Sequence, residues 1–237
     1  MNKYFTFINL NDDKVLSLYS KKPINCNTSK KEKELLIKEI ERDCNYEFKR
    51  VVGSEFQIHG DCVVVIENIN QKVGEVDGLL TNLKGVALEI RTADCQSIFL
   101  YDRKKKVIGN IHSGWKGTSK QIVVNAINKM VERYGCNIED IEVYINPSIL
   151  GCCFEVKDDV INLFKKICDV SKYSKKFDNH YMLDTVAINY DKLIELGIKK
   201  EHIFLSNICT GCNIKEYHSY RKENKTEGRN ISLICLK

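Results

Sequence analysis

Residues 86–118 read VALEIRTADCQSIFLYDRKKKVIGNIHSGWKGT, and this stretch decides the fold class. It holds three short apolar, β-branched or aromatic runs, at residues 86–90, 97–101 and 107–111. Runs of this length that end in polar or glycine-containing segments are typical of strands. A helical repeat follows over residues 122–134, and Gly135 stands where a glycine usually ends a helix. Neighbouring strands that precede a helix, instead of alternating with helices, predict an α+β fold.

The flanking sequence predicts further elements of both kinds. We expect a hairpin from strands 4–8 and 15–18, with Asn11 in its polar turn, and a surface helix over residues 29–44. Further strands are predicted at 50–57, 62–66, 141–145, 203–205 and 230–236. Further helices are predicted at 155–168 and 184–196, the second capped by Asp184 and ended by Gly197. Because 237 residues can build one core and two prolines offer no Pro-rich linker, we predict a single domain over residues 1–237, with mixed or antiparallel sheets flanked by helices.

Charge and composition exclude several classes of protein. Thirty-seven basic and 32 acidic side chains give a net charge of +5, and the basic runs at 30–33 and 103–106 are short. We therefore expect no nucleic-acid partner. No run approaches the roughly 20 apolar residues of a membrane span, and no export signal stands at the N-terminus, which predicts a cytoplasmic protein without a membrane partner. Its eleven cysteines should then stay reduced and serve a metal, a nucleophile or simple burial.

Three residues of the metal-ligand type each lie where a predicted strand meets a turn. They are His59, Cys95 and His112. Two imidazoles and one thiolate suit zinc, and three protein ligands leave a fourth position open, which is the pattern of a catalytic site. Spacing alone leaves open the alternative of two hydrogen-bonded histidines and a buried thiol.

Four segments extend this pattern: QIHG at 57–60, DGLLT at 77–81, TADC at 92–95 and HSGWKGT at 112–118. In order and spacing they resemble the YfiH/YlmD family, also called the laccase-domain or multicopper polyphenol oxidase family. Later matches are PSI at 147–149, CCFEV at 152–156, residues 209–210, HSYR at 218–221 and residues 228–229. The chain departs from the family pattern at Asn146, Leu150, Lys222 and Glu227.

The resemblance implies an α/β/β/α fold and a zinc site made of His59, Cys95 and His112. It also implies a purine nucleoside phosphorylase, which converts adenosine, inosine, guanosine or methylthioadenosine and phosphate to free base and ribose 1-phosphate. Adenosine deaminase activity is implied beside it, and copper-dependent polyphenol oxidation is the family's older label. The expected partners are thus purine nucleosides, with phosphate as co-substrate. The sequence leaves the oligomeric state open.

Phosphorolysis requires cationic groups for phosphate and a surface for the purine. Arg221, Arg229 and Lys116 are candidate phosphate ligands, because guanidinium and ammonium groups bind phosphate oxygens. Trp115 could stack on a purine, although packing in the core is the simpler explanation.

Deamination requires a carboxylate that moves protons, and Asp77 and Asp94 are the candidates nearest to the predicted ligands. In an extended segment Asp94 would point away from Cys95, so it could support the turn instead of the reaction.

Three other functions remain open. Cys95 and His112 could form a metal-free thiolate–imidazolium pair of a cysteine hydrolase, with His59 as an orienting group. A copper-dependent oxidase is less favoured, because several copper sites would need more than the five histidines present. A non-catalytic binding protein that acts through a partner is the third.

The cysteines outside the predicted zinc site have simpler explanations. Cys209 and Cys212 form a C-x-x-C pair, which His218 could complete as a structural site, although we favour this less than burial. Cys152 and Cys153 are expected to pack as small apolar side chains.

Overall fold

The computed structural model describes residues 5–8, 10, 12–27 and 30–237. The described strands are β1 Phe5–Phe7, β2 Val15–Ser20, β3 Arg50–Gly53, β4 Val63–Val65, β5 Gly78–Thr81, β6 Val86–Thr92, β7 Gln96–Asp102, β8 Val107–Ser113, β9 Ile141–Ile145, β10 Glu155–Val156, β11 Ser174–Lys176, β12 Tyr181–Leu183, β13 Ile203–Leu205 and β14 Asn230–Leu236. The described α-helices are α1 Lys30–Cys44, α2 Trp115–Ser119, α3 Ile122–Tyr134, α4 Asp158–Phe164 and α5 Thr185–Leu196.

Two large mixed sheets form the centre of the molecule. The first has the strand order β1-β2-β14-β6-β3 and the second the order β13-β9-β7-β8-β5-β4. A small third sheet, β10-β12-β11, lies beside them. The last strand, β14, pairs with β2 on one side and β6 on the other, so both ends of the described chain build the same sheet. This supports the single domain that we propose for residues 1–237.

The two large sheets pack face to face, and helices cover their outer faces. Leu88 of the first sheet and Phe99 of the second share one buried core between the sheets. Helix α1 packs on the outside of the first sheet through Leu36 and Ile40. Helices α3 and α5 cover the outside of the second sheet, in the largest apolar cluster of the described residues. The layers therefore run α/β/β/α, and the predicted α+β fold is confirmed.

Residues 86–118 form the middle of the structure. Strands β7 and β8 pair antiparallel from Gln96 opposite Ser113 to Asp102 opposite Val107, and every residue of both strands is buried. Helix α3 then ends at Gly135, whose φ of +63° is the left-handed conformation that favours glycine. These two findings confirm the predicted strands and helix.

The predicted cap of the later helix is also present. Asp184 accepts a hydrogen bond from the backbone N of Ala187 at 2.9 Å and so begins α5. Gly197, with a φ of +106°, ends that helix as predicted.

Two predicted elements are too long. The helix expected at 155–168 covers only Asp158–Phe164, because residues 155–156 pair instead with β12, a partner that local periodicity does not reveal. The strand expected at 50–57 ends at Gly53. Beyond it, Glu55 and Phe56 are exposed, with 66% of Phe56 accessible to solvent. Predictions for Tyr4, Asn11 and Ser29 lie outside the described residues. In the described part of the chain, no helix is long and apolar enough to cross a membrane.

Candidate metal centre

Asp77 organises the centre from beneath. It lies directly before β5, is fully buried, and its carboxylate accepts three hydrogen bonds. Oδ1 accepts from the backbone N of His59 at 3.0 Å and contacts His112 Nδ1 at 2.7 Å, while Oδ2 accepts from the backbone N of Gly60 at 2.6 Å. Burial raises the pKa of Asp77, but the hydrogen bonds from His112 and Gly60 outweigh burial and hold that pKa below its ordinary value. Asp77 is therefore a carboxylate that positions both histidines.

His59 stands on a strained turn. Its φ of +58° is in the left-handed region, which a residue other than glycine adopts only when its surroundings hold it there. The two hydrogen bonds from this turn to Asp77 supply that restraint. The side chain of His59 is exposed and lies at the rim of the site, while the ring of His112, near the end of β8, is buried.

Cys95 lies in the turn between β6 and β7, directly after Asp94. Asp94 has a φ of +86°, so the segment is not extended at this residue. Its buried carboxylate accepts from Thr210 Oγ1 at 2.7 Å and from the backbone N of Arg221 at 2.7 Å. Asp94 therefore supports the turn that presents Cys95, as one of our two alternatives for it expected.

The side chains of His59, Cys95 and His112 converge. Their donor atoms all lie within 4.8 Å of one another, and the two imidazole rings are 4.8 Å apart, centroid to centroid, at an interplanar angle of 80°. Within the described residues, no fourth His, Cys, Asp or Glu joins this group. Because Nδ1 of His112 is occupied by Asp77, the Nε2 atom is left for a ligand or for the thiol.

Glycine provides the space around the three side chains. A Cβ on Gly114 would lie 2.9 Å from His59 Cδ2 and 3.1 Å from Cys95 Sγ, closer than ordinary van der Waals contact.

The set of two imidazoles and one thiolate, with one position free, suits zinc in a catalytic site. The residues present therefore fit the metal that the sequence resemblance implies.

In the absence of a cation, Cys95 and His112 shift each other's pKa. Burial raises the pKa of the Cys95 thiol, but His112 and His59 outweigh burial and lower that pKa to about 6. Burial lowers the pKa of His112, but the Cys95 sulfur and Asp77 outweigh burial and raise it to about 9. The thiol is thus readily deprotonated, which both metal binding and nucleophilic attack require.

Two cavities meet beside His59 and Cys95, and His112 lines the larger of them. The larger, of about 520 Å³, is lined mostly by residues with polar side chains, and the smaller, of about 430 Å³, has a more apolar wall. The polar wall includes Asn27, Gln57, Arg91, Tyr220 and Arg229. The apolar wall includes Trp115, Ile149, Phe154, Val156 and Val160. His59, Cys95 and Tyr220 line both cavities, so a ligand that spans them would pass the candidate metal position.

The three predicted phosphate ligands lie in different places. Arg229 lines the larger one and Arg221 the smaller one, where Arg221 donates to the Glu155 carbonyl at 2.7 Å and lies over the Phe154 ring. Lys116 lines neither cavity, and its Nζ lies 5.4 Å from the centre of the Trp115 ring.

Several lining residues were not predicted from the sequence. Arg91, Tyr220 and Phe154 were not singled out, and neither were the carboxylates Glu155 and Asp159 of the smaller cavity. Arg91 precedes the TADC motif, and the others lie within or near the motifs at 152–156 and 218–221, so motif context was the signal that could have found them.

The other three histidines lie elsewhere and belong to no ligand group among the described residues. His218 Nε2 contacts the Ile24 carbonyl oxygen at 2.9 Å, and His180 stacks on Phe177. His218 therefore does not complete a site with Cys209 and Cys212.

The chain is similar to several proteins of known name over two thirds or more of its length. A purine nucleoside phosphorylase of Clostridium acetobutylicum is 32% identical over 98% of this chain and 97% of its own length. YlmD of Bacillus subtilis, named a purine nucleoside phosphorylase, is 35% identical over 68% of this chain and 59% of its own length. Adenosine deaminase RL5, from an unknown prokaryotic organism, is 31% identical over 68% of this chain and 63% of its own length.

Solved structures share the fold. YfiH of Bacillus licheniformis superposes with a TM-score of 0.92 at 24% identity, covering 100% of this chain and 97% of its own. YlmD of Geobacillus stearothermophilus gives 0.90 at 22% identity, with the same coverage. The family model described as multi-copper polyphenol oxidoreductase laccase matches residues 21–237. By sequence and by fold, the chain belongs to this laccase-domain family.

Proposed function

We propose that this protein is a zinc-dependent purine nucleoside phosphorylase with adenosine deaminase side activity. The observation that carries the proposal is the convergence of His59, Cys95 and His112, with one position free, where two cavities meet. The names of the relatives support the reaction, since those described above include purine nucleoside phosphorylases and one adenosine deaminase. The substrates would be adenosine, inosine, guanosine or methylthioadenosine together with phosphate.

The two cavities suit phosphate and the purine base, respectively. We assign phosphate to the larger cavity, where the guanidinium of Arg229 donates to carbonyl oxygens of Thr226 and Gly228. In the described part of the chain Arg229 forms no ion pair with a carboxylate, so its charge is available to an anion. Arg91 of the same wall lies 3.8 Å from Glu89, which partly neutralises it.

The purine belongs in the smaller cavity. Phe154 and Trp115 offer aromatic surface there, and Arg221 lies over the Phe154 ring at 5.4 Å. The ribose would then lie between the cavities, beside Tyr220 and the three convergent side chains. Arg221, which we expected to bind phosphate, would on this assignment contact the nucleoside.

Phosphorolysis joins a phosphate oxygen to C1′ of the ribose while the bond from C1′ to the purine nitrogen breaks. The electron pair of that bond leaves with the purine, which must gain a proton. A bound zinc ion would supply a Lewis acid where the cavities meet. The chain's own residues would hold phosphate in line with C1′, hold the purine on the aromatic wall and exclude water, so that phosphate attacks in its place.

Deamination replaces the amino group at C6 of adenosine with oxygen from water and needs a carboxylate to move protons. Asp77 and Asp94 are buried, and their oxygens are already occupied by the turns that they support. We therefore assign both aspartates a positioning role. Glu155 and Asp159, which are exposed and line the smaller cavity, are the better candidates for proton transfer.

The direct test is to incubate zinc-loaded protein with inosine and phosphate and to measure free base and ribose 1-phosphate. We expect both products in equal amounts, and no turnover by the His59→Ala variant. Adenosine should in addition release ammonia. If neither inosine nor adenosine gives free base with zinc bound and phosphate present, the phosphorylase assignment is wrong.

The second candidate function is a metal-free cysteine hydrolase. One observation favours it: His112 contacts both Cys95 and Asp77, which is the arrangement of a thiol, a base and an orienting carboxylate. Elemental analysis of protein purified without a nickel column separates the two functions. Stoichiometric zinc that is lost in His59→Ala supports the phosphorylase. Protein that holds no zinc as purified, and whose hydrolytic activity does not need it, supports the hydrolase.

A copper-dependent polyphenol oxidase is the less favoured alternative. Only two of the five histidines contribute to a ligand group in the described part of the chain. The same elemental analysis measures copper, and oxidation of a phenol by copper-loaded protein would support this alternative. We also propose a cytoplasmic location without nucleic-acid or membrane partners, which is supported by eleven free thiols.

A further inference from the structure

Four cysteines form a second cluster, apart from the centre described above. Cys152 and Cys153 come from the loop after β9, and Cys209 and Cys212 come from the loop after β13. All four Sγ atoms lie within 4.8 Å of one another. Cys212 Sγ lies 3.6 Å from that of Cys152 and 3.5 Å from that of Cys153. Cys153 packs against an apolar cluster, as predicted, whereas Cys152 is exposed, and both belong to the four-cysteine group.

The known sulfur spacings are compatible with ligands of a single tetrahedral ion. A zinc–sulfur bond of about 2.3 Å places the sulfurs of a regular tetrahedron about 3.8 Å apart. The two measured spacings, 3.5 and 3.6 Å, are close to this value and far longer than a disulfide bond of about 2.05 Å. All four thiols are free.

The backbone is shaped to bring the four thiols together. A Cβ on Gly211 would lie 3.0 Å from Cys153 Cβ and 3.2 Å from its Sγ, so only glycine permits this approach without displacement. The backbone N of Leu150 donates to Cys209 Sγ at 3.5 Å. A backbone N–H donor of this kind favours a thiolate over a thiol.

The two loops are also paired with each other directly. The backbone N of Thr210 donates to the Ser148 carbonyl at 3.0 Å, and the backbone N of Ser148 donates to the Ile208 carbonyl at 3.2 Å. This short parallel bridge fixes the register of the loops, so that each delivers its two cysteines to the same point.

We propose that Cys152, Cys153, Cys209 and Cys212 bind one zinc ion in a closed structural site. Four protein thiolates fill the coordination sphere, which is the pattern of structural rather than catalytic zinc. Soft thiolate ligands in a tetrahedral set favour zinc over magnesium or calcium. Binding replaces the thiol protons, which pass to solvent, and needs no oxidant or reductant.

The ion would brace the wall of the smaller cavity. Ile149 and Phe154, which flank the Cys152–Cys153 pair, both line that cavity. On the other loop, the Thr210 hydroxyl holds the Asp94 carboxylate beside Cys95. Loss of the ion would therefore loosen the substrate wall and the Cys95 turn without removing any ligand of the first centre.

The test is a count of zinc per chain by mass spectrometry of digested protein, purified without a nickel column. We expect two zinc ions in the wild-type protein, one in Cys212→Ser and one in His59→Ala. Cys62→Ser is the matched control, because Cys62 is an exposed free thiol outside both clusters, and it should retain two. Circular dichroism checks that each variant folds, and Cys152→Ser replaces Cys212→Ser if the latter does not.

Cobalt substitution gives a second measurement that does not depend on activity. Cobalt in the His59→Ala variant should show the intense sulfur charge-transfer bands of a four-thiolate site, and these should disappear in the double variant with Cys212→Ser. The proposal is overturned if Cys212→Ser and Cys152→Ser keep the wild-type zinc count, or if mass mapping finds the four thiols paired as disulfides. The first centre fails separately, if His59→Ala loses no zinc.

Discussion

Replacing Asp77 with asparagine tests how the first centre is held. The substitution keeps the size of the side chain but exchanges one acceptor oxygen for an NH2 donor. Oδ1 accepts from two groups and Oδ2 from one, so either orientation of the amide turns a donor toward another donor. At least one hydrogen bond is therefore lost, and because Asp77 is fully buried, water cannot replace it.

The size of the effect follows from these contacts. A buried donor left without a partner costs about 1–3 kcal/mol. Removing a carboxylate that orients a ligating histidine typically weakens metal binding by about 10–100-fold, and a tenfold change corresponds to about 1.4 kcal/mol. The two estimates overlap, so we expect a zinc dissociation constant about 10–100-fold higher for Asp77→Asn, with a parallel fall in kcat/KM.

Zinc affinity can be measured by competition with a chromogenic chelator, and kcat/KM with inosine and phosphate. Asp61→Asn is the matched control, because Asp61 is exposed near the same turn and contacts only Lys120, at 3.3 Å, among the described residues. Changes at such surface positions usually stay within about 0.5 kcal/mol. Equal zinc affinity in the two variants would refute our description of Asp77 as the residue that positions both histidines.

Three further predictions follow from the site. Gly114→Ala should lower zinc occupancy and destabilise the protein by about 1–3 kcal/mol because its Cβ meets Cys95, whereas Gly74→Ala, with open space around it, should leave zinc occupancy unchanged; metal analysis and thermal unfolding measure both. In metal-free protein, alkylation of Cys95 by iodoacetamide, located by peptide mass mapping, should persist as pH falls from 9 and decline only below about pH 6, because its thiolate form is favoured down to that pKa; alkylation of Cys95 that already declines well above pH 6 would contradict this. Arg229→Gln should raise KM for phosphate about tenfold, the size of one lost charge-assisted hydrogen bond, and leave KM for inosine unchanged; Arg221→Gln should do the reverse, and equal effects on both constants would contradict the division of the cavities.

The sequence by itself determined the elements whose signals are local. The strands of the 86–118 stretch, the helix ended by Gly135 and the cap at Asp184 were all readable, because each depends on residues within a few positions of one another. The family motifs also indicated His59, Cys95 and His112 before any geometry was known.

Only the tertiary structure decided what depends on contacts between distant segments. Residues 155–156 form a strand because β12 pairs with them, and Asp77 contacts both histidines because β5 lies between β4 and β8. The four-cysteine cluster exists because two loops, after β9 and after β13, are aligned by a parallel pair of strands. The local sequence pattern carries no information on which distant strands will pair. That pairing decides where the thiols, the histidines and the walls of both cavities lie.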